Sequence, residues 1–316
     1  ECILIYQKYD DILEIHPYFV VDKLLLVLGK NKAWEIINAN NYKKQKTWCL
    51  TYFILLTQED ISQNDVDSLL NLIESFSVGD LRFRLSFLDK YMVVDPYIYK
   101  KVSNILLNKS RENRLYVQPL RSLFFTDLEF FGKWHDYLTI DHQTICNMYL
   151  SIFSIEEHFD YDGKILQLLI KEDFTFLFKV LDEVYVKDAR INFHTRMPKL
   201  DFLWDRSSYL EEIESIGKYL TDKEKDSFVY GDTLLSKLCV NNQKQPNVEQ
   251  YGDKQLEFFQ FTIEHNAHDM NYMYFLFQSL QLIDESSKKN LIELFVKNNT
   301  NLHDYKTITN ISRSKS

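Results

Sequence analysis

With 316 residues, 45% of them hydrophobic, the chain has ample material for a core, as one extended helical array or as two globular domains. Seven Gly and five Pro are too few for a many-turned all-β fold or a glycine-rich phosphate loop, and they suit a run of helices. Lys plus Arg number 37 against 46 Asp plus Glu, a net charge of −9, so the chain as a whole repels polyanions and nucleic acid would need a local basic patch.

Cys2, Cys49, Cys146 and Cys239 are far apart, with none of the close pairs of zinc or redox motifs, and read as buried thiols of a reducing cytoplasm. The sharpest apolar run, Tyr18 to Leu28, contains Asp22 and Lys23 and is too short for a membrane span. The 23 Phe and 20 Tyr point either to an aromatic binding surface or to the codon bias of an AT-rich genome, absorbed by helical cores. The chain begins at Glu1 with no leader pattern, which raises the expectation of a fragment or processed product with a catalytic module upstream.

In chain order, a helix is predicted over Ile3 to Ile15, and Pro17 opens the next, which Gly29 closes. Asn31 to Asn38 and Lys44 to Thr57 follow, the latter with Trp48, Tyr52 and Leu55 on one side. Ser62 and Asp65 form a capping-box pattern ahead of Val66, Leu69, Leu70 and Ile73. Asp80 is placed to cap a helix presenting Leu81, Leu85, Leu88 and Met92, and Asp95 with Pro96 starts one running to Leu107. Lys109 to Arg121, polar and basic with Pro119, reads as a loop or a change of superhelix direction, and a strand or two is open at Leu115 to Val117 or Arg190 to Phe193.

Helical periodicity resumes in Thr126 to Leu138, Gln143 to Phe159, Lys164 to Ile170 and Phe174 to Val186, Asp173 capping the last. Lys187 to Pro198 is a connection, Tyr209 to Leu220 a helix, Asp232 to Cys239 a short one, and Asn241 to Asn247 a linker. Lys254 to Lys306 reads as three helices with apolar faces on Leu256, Phe259 and Ile263, on Met273, Leu276, Phe277 and Leu280, and on Leu291, Leu294 and Phe295. Apolar hairpins recur every ~35 to 45 residues, the spacing of HEAT-like or armadillo-like units. The expected fold is therefore all-α, a HEAT/armadillo-like right-handed α-solenoid of helical hairpins. Its arrays span residues 1–108, 122–186 and 199–308, with a flexible tail at 309–316.

Three His-Asp dipeptides, His135 and Asp136, His268 and Asp269, and His303 and Asp304, match the central pair of an all-α metal phosphohydrolase, but no histidine lies at the spacing a compact metal cage needs. Glu156, Glu157, His158, Asp160 and Asp162 offer oxygen ligands without the order of a calcium loop, and read as a solvated turn. Lys100, Lys101, Lys109, Arg111, Arg114 and Arg121 make a local basic patch, beside Tyr116 as a stacking ring. Lys43, Lys44 and Lys46 stand at a helix start, where the macrodipole disfavours cations, and hint at a negatively charged partner. Phosphate-loop, nucleophile-elbow and zinc-helix motifs are missing, so neither catalysis nor a bound metal is expected of this chain.

Two segments carry a family resemblance. In KLDFLWDRSSYLEEIESIGKYL, from Lys199 to Leu220, Phe202, Leu203, Trp204 and Asp205 precede a helix; in LIELFVKNNTNLHDYKTI, from Leu291 to Ile308, Asn298 and Asn299 follow an apolar helix and precede Tyr305 and Ile308. Both resemble the C-terminal helical region of bacterial STAND-type NTPases, the NACHT-like or AVAST-like antiviral proteins. The resemblance implies a sensor with no cofactor of its own, ATP and Mg belonging to the upstream module. It implies a protein ligand encoded by an invading phage, the chain's own ATPase module as a partner, homo-oligomerisation on activation, and a cytoplasmic setting without membrane. Trp204, Tyr209, Tyr272 and Tyr274 are the ligand contacts it suggests. A general scaffold or adaptor and a nucleic-acid-binding α-solenoid are the rival readings.

Overall fold

A proline at the first helical position gives up no hydrogen bond, and Pro17 opens α1 (Pro17–Ala39) in the computed structural model of the protein. The structure describes residues 17–39, 45–77, 85–124, 130–156, 159–187, 197–223, 237–239, 248–267, 269, 273 and 285–298. Among them every regular element is helical. After α1 come α2 (Gln45–Leu55), α3 (Gln63–Ser75), α4 (Ile98–Glu112), α5 (Val117–Phe124) and α6 (Phe130–Phe153). Then follow α7 (Lys164–Glu172), α8 (Phe176–Lys187), α9 (Tyr209–Lys223), α10 (Val248–Asn266) and α11 (Glu285–Asn298). Tight 3-10 turns at Gln58–Asp60, Leu85–Val93, Arg114–Tyr116 and Asp201–Asp205 join them.

The chain divides into two compact units, Glu1–Ile155 and Glu156–Ser316. The division falls just after α6, inside the 122–186 stretch taken from sequence as a single array. In the first unit each of α1 to α6 packs on the next, and α4 also meets α6. In the second, α7 packs on α8, α9 on α10, and α10 on α11.

Within the first unit, Gly29 takes φ 74 and ψ 167, so α1 is two helices meeting at a break, as the glycine predicts. The second half buries Ala33 and Ile37, and the Trp34 ring lies 4.9 Å from both Tyr52 and Phe53 of α2. Val66, Leu69 and Ile73 are the buried face of α3, and Ile98, Val102 and Leu106 that of α4. Each such side chain contributes about 1.5–3 kcal/mol. The capping box forms as expected, the Asp65 carboxylate accepting the Ser62 backbone N–H at 2.8 Å while pairing with Lys30.

Helix C-termini in this unit are closed by lysines from other elements. Lys90 Nζ donates to the carbonyls of Ile54, at 2.6 Å, and Leu56 beyond α2. Lys46 donates to the Ser75 carbonyl at the end of α3, and Lys109, at 3.1 Å, and the Tyr116 hydroxyl, at 3.0 Å, donate to that of Phe76. Lys46, which looks misplaced at the start of α2, thus meets the negative end of α3.

Several expectations change. Lys109 to Arg121 is not a loop: α4 runs to Glu112, and Arg114–Tyr116 leads directly into α5. The strand at Leu115 to Val117 is excluded for the same reason. The polar residues face outward while Ser110, Val117 and Leu120 are buried, and Lys109 and Tyr116 are tied to Phe76. Pro119 is accommodated in the first turn of α5. The helices expected at Thr126 to Leu138 and Gln143 to Phe159 are one, α6, ending at Phe153. The helix expected from Leu81 is a 3-10 segment over its described part, Leu85–Val93. The elements expected at 1–16, 188–196 and 240–247 lie outside the described residues, as do most of 268–284 and the tail.

In the second unit Asp160 carries the first turn of α7, its carboxylate accepting the N–H groups of Ile165 at 3.0 Å and Leu166 at 2.8 Å. The acidic cluster, expected as a solvated turn, thus supplies a helix cap through Asp160; its residues 157 and 158 are not described. Gly163 is required beside it: its φ is 68, and a Cβ there would lie 2.2 Å from the Lys199 carbonyl oxygen. Asp173 receives the N–H and hydroxyl of Thr175 ahead of α8, and Phe176, Leu177, Val180, Leu181 and Val184 are the buried side of that helix.

Gly163→Ala combines left-handed strain with a backbone collision, and should lower stability by more than about 2 kcal/mol in urea unfolding. Lys90→Met removes a charged donor from two carbonyls and relieves one buried charge. The carbonyl loss should win, at about 1–2 kcal/mol of destabilisation; a melting curve equal to or above wild type would show the lysine to be dispensable.

Candidate functional site

The basic patch splits on inspection of its partners. Lys101 forms an ion pair with the buried Asp95 at 2.7 Å, and Lys109 closes α3, its ammonium 5.0 Å from the Tyr116 ring centroid. Both cations therefore serve the fold. Lys100, Arg111 and Arg114 project from the solvent side of α4 and the turn after it, and Arg121 is exposed in the last turn of α5. The sequence explains the arrangement, since 97, 100, 104, 108 and 111 share one face while Ile98, Val102 and Leu106 take the other. The cations run between two exposed apolar groups, Tyr97 at 54% and Leu115 at 61% exposure. The result is a cationic strip with an aromatic and an aliphatic anchor on an otherwise acidic chain.

The aromatic ligand contacts suggested by the resemblance fare differently. Trp204 is a correction: it is 1% exposed, its indole N–H donates to the Leu238 carbonyl at 2.9 Å, and its ring packs 6.0 Å from Phe258. A side chain so enclosed anchors the core and reaches no ligand. Tyr209 is half-buried, 5.8 Å ring to ring from Trp204, and its hydroxyl donates to the Glu257 carboxylate. Burial and that carboxylate raise its phenol well above the ordinary tyrosine range. Tyr272 and Tyr274 lie outside the described residues.

Around Trp204 the structure gathers a charged cluster that sequence reasoning missed. Lys254 donates to the Trp204 carbonyl, and Tyr251 donates to Asp205 at 2.9 Å, burial raising that phenol to about 12. Lys199 and Lys237 are each only 5% exposed. Lys237 Nζ lies 4.5 Å from the Tyr161 ring centroid, and its backbone carbonyl accepts the Leu200 N–H at 3.1 Å. Burial, with Lys199 as a neighbouring cation, pushes the Lys237 amine down to about 8; burial likewise lowers Lys199 and raises Asp201. Nothing in the spacing of Lys199 and Lys237 announces the pair, because the segments that carry them are far apart in sequence.

The thiols of Cys49, Cys146 and Cys239 are buried, and burial raises Cys49 to about 11 and Cys239 to about 12, which suits packing and not nucleophilic attack. Among the described residues no group of three His, Cys, Asp or Glu side chains is placed to hold a metal ion. The side chains of the first and third His-Asp pairs, and His268 of the second, are not among those described. No described helix is long and apolar enough to cross a membrane. Compared with known proteins, the chain matches no family model, no curated protein and no solved structure.

The buried Lys237 predicts a pH effect of definite sign. Its folded pKa lies below the ordinary 10.5, so between about pH 8 and pH 10 this amine is protonated in the unfolded chain and neutral in the folded one, and its own contribution to stability rises with pH. Lys237→Met should make the slope of stability against pH over this window less positive than in wild type, and should melt higher than wild type at pH 7, where the wild type buries a charge. Equal slopes in the two proteins over this window would place the amine in water.

Proposed function

We propose that this chain is the non-catalytic, ligand-reading helical-repeat region of a STAND-type antiviral NTPase, and that the outer strip of α4 and the turn after it meets the ligand. The observation that carries the reading is that strip: Lys100, Arg111 and Arg114 between exposed Tyr97 and Leu115, on a chain of net charge −9. Tyr and Arg at a polar-rimmed surface are the residue types that anchor protein interfaces, and exposed cations speed and orient encounter with an acidic partner. The proposed architecture within the units is a HEAT/armadillo-like, right-handed solenoid, for which the packing of most helices on the next is the supporting observation, without bearing on the hand.

In this reading the chain performs no chemistry. ATP and Mg bind the upstream module, and an invader's protein shifts the whole molecule toward an assembled, active state in the cytoplasm. The ligand drives that shift only by binding the active state more tightly. The exposed cations also favour a second reading, a nucleic-acid-binding solenoid, whose affinity would fall steeply with salt.

The test is made on the complete gene product in cells challenged with a panel of phages, comparing wild type with the triple variant Lys100→Glu, Arg111→Glu, Arg114→Glu. The variant should lose at least ~10-fold in protection, with the purified chain melting as wild type, and escape phages should carry changes in one phage protein. No protection by the wild type, or equal protection by the variant, overturns the reading. Salt-sensitive binding of a labelled single-stranded oligonucleotide, abolished in the variant, would put the second reading in its place.

A further inference from the structure

Lys199 and Lys237 have no part in the α4 strip, and the backbone holds them together. The Lys199 N–H donates to the Tyr161 carbonyl at 2.9 Å, and the Leu200 N–H donates to the Lys237 carbonyl at 3.1 Å. Gly163 lies so close to the Lys199 carbonyl that a side chain there would collide with it. Both lysines are left only 5% exposed. Their neighbours differ. The Asp201 and Asp162 carboxylates act on Lys199. What acts on the Lys237 ammonium, among the described residues, is the Tyr161 ring, with its centroid 4.5 Å away, and the like charge of Lys199. No described carboxylate or carbonyl oxygen pairs with it.

A buried ammonium without an acceptor is unfavourable, so the place favours the neutral amine. With a pKa of about 8, the amine is neutral in roughly a quarter of molecules at about pH 7.5, against roughly one in a thousand for an ordinary lysine. A neutral lysine amine is a nucleophile. The surroundings say which electrophile fits. At 5% exposure a bulky aldehyde or ester does not reach Nζ, while a molecule of a few atoms does, and an uncharged one loses little hydration on the way in. Tyr161 is 41% exposed, so the amine beside its ring lies one side chain from solvent. The product must also suit the place. An anion formed on Lys237 beside Lys199 turns the repulsion of two buried cations into an attraction. Carbon dioxide meets both conditions, being small and neutral and leaving an anion.

We propose that Lys237 is a carbon dioxide-binding lysine, carried as a carbamate that pairs with Lys199. The neutral Nζ adds to the carbon of carbon dioxide, one C=O bond gives its electron pair to oxygen, and Nζ releases a proton to water. Neither the α4 strip nor an upstream module enters, so the site is independent of the sensor reading.

The full chain is equilibrated with isotope-labelled bicarbonate and carbon dioxide at about pH 7.5, treated with triethyloxonium to esterify any carbamate, and mapped by peptide mass spectrometry. The peptide carrying Lys237 should hold labelled ethyl carbamate at least ~10-fold above other lysine peptides. That excess should vanish when the wild type is labelled in guanidinium chloride. Lys199→Met removes the partner cation and returns Lys237 toward its protonated form, so label at Lys237 should fall at least ~3-fold. Lys199→Arg, which keeps the charge, should retain it. No excess at Lys237, or an excess that survives unfolding, overturns the modification. Label undiminished in a folded Lys199→Met variant overturns the pairing. A melting temperature raised by inorganic phosphate at constant ionic strength, with no carbamate trapped, would make the lysine pair a site for a free anion instead.

Discussion

The last carbonyls of a helix have no partner within it, and the way this protein supplies one organises much of what is described of the first unit. The usual device, a glycine in left-handed conformation just past the end, is scarce in a chain with seven glycines. The exits at Phe76, Asn113 and Asp173 are all extended. For α2 and α3 the donors come from elsewhere: Lys90 for the first, Lys46, Lys109 and Tyr116 for the second. An ammonium supplies both a hydrogen bond and a charge opposed to the negative helix end, the latter worth about 0.3–1 kcal/mol. Because each lysine belongs to a different element, each cap is also a tertiary contact that fixes where the next helix lies.

Tyrosines do related work, which changes how the aromatic content is understood. Tyr91 donates to the Phe53 carbonyl at 2.8 Å from a fully buried position, Tyr219 to Asp182, Tyr209 to Glu257 and Tyr251 to Asp205. Each ring fills core or half-buried space while its hydroxyl meets an acceptor, and for Tyr91 that acceptor is a carbonyl that burial would otherwise leave unpaired. Burial and the nearby carboxylates hold these phenols above the ordinary tyrosine range, so they stay protonated donors through the physiological range. Among the described residues, Phe and Tyr largely serve the scaffold, and exposed rings such as Tyr97 and Phe19 stand out by contrast.

What was legible in the sequence was what local chemistry decides. Pro17, Gly29, the Ser62 and Asp65 box, and Asp173 each act within a few residues of themselves, and each does what its type predicts. The misreading of Lys109 to Arg121 has the opposite origin. Its composition is that of a loop, but its helicity depends on Phe76, more than thirty residues earlier, as an acceptor for Lys109 and Tyr116. The same distance hid the site. The resemblance offers Trp204 as a ligand contact, but an indole is readily buried once its N–H finds an acceptor, and that acceptor, the Leu238 carbonyl, comes from a segment with no sequence link to it.

Subtracting these structural duties leaves a small remainder, and the remainder is where function must be sought. Of the cations in the basic patch, Lys101 and Lys109 have buried or terminal partners that would be orphaned if a ligand drew them away, so recruiting them would cost fold stability. Lys100, Arg111 and Arg114 carry their charge at exposed positions. The outer side of α1 is the apolar counterpart: Leu26 and Val27 add nothing to the core, yet such surface in water is unfavourable at about 25 cal/mol per Å². One surface is charged with apolar ends, the other apolar with a neutral charge pair at its centre. Their chemistries differ enough that a single partner would not satisfy both.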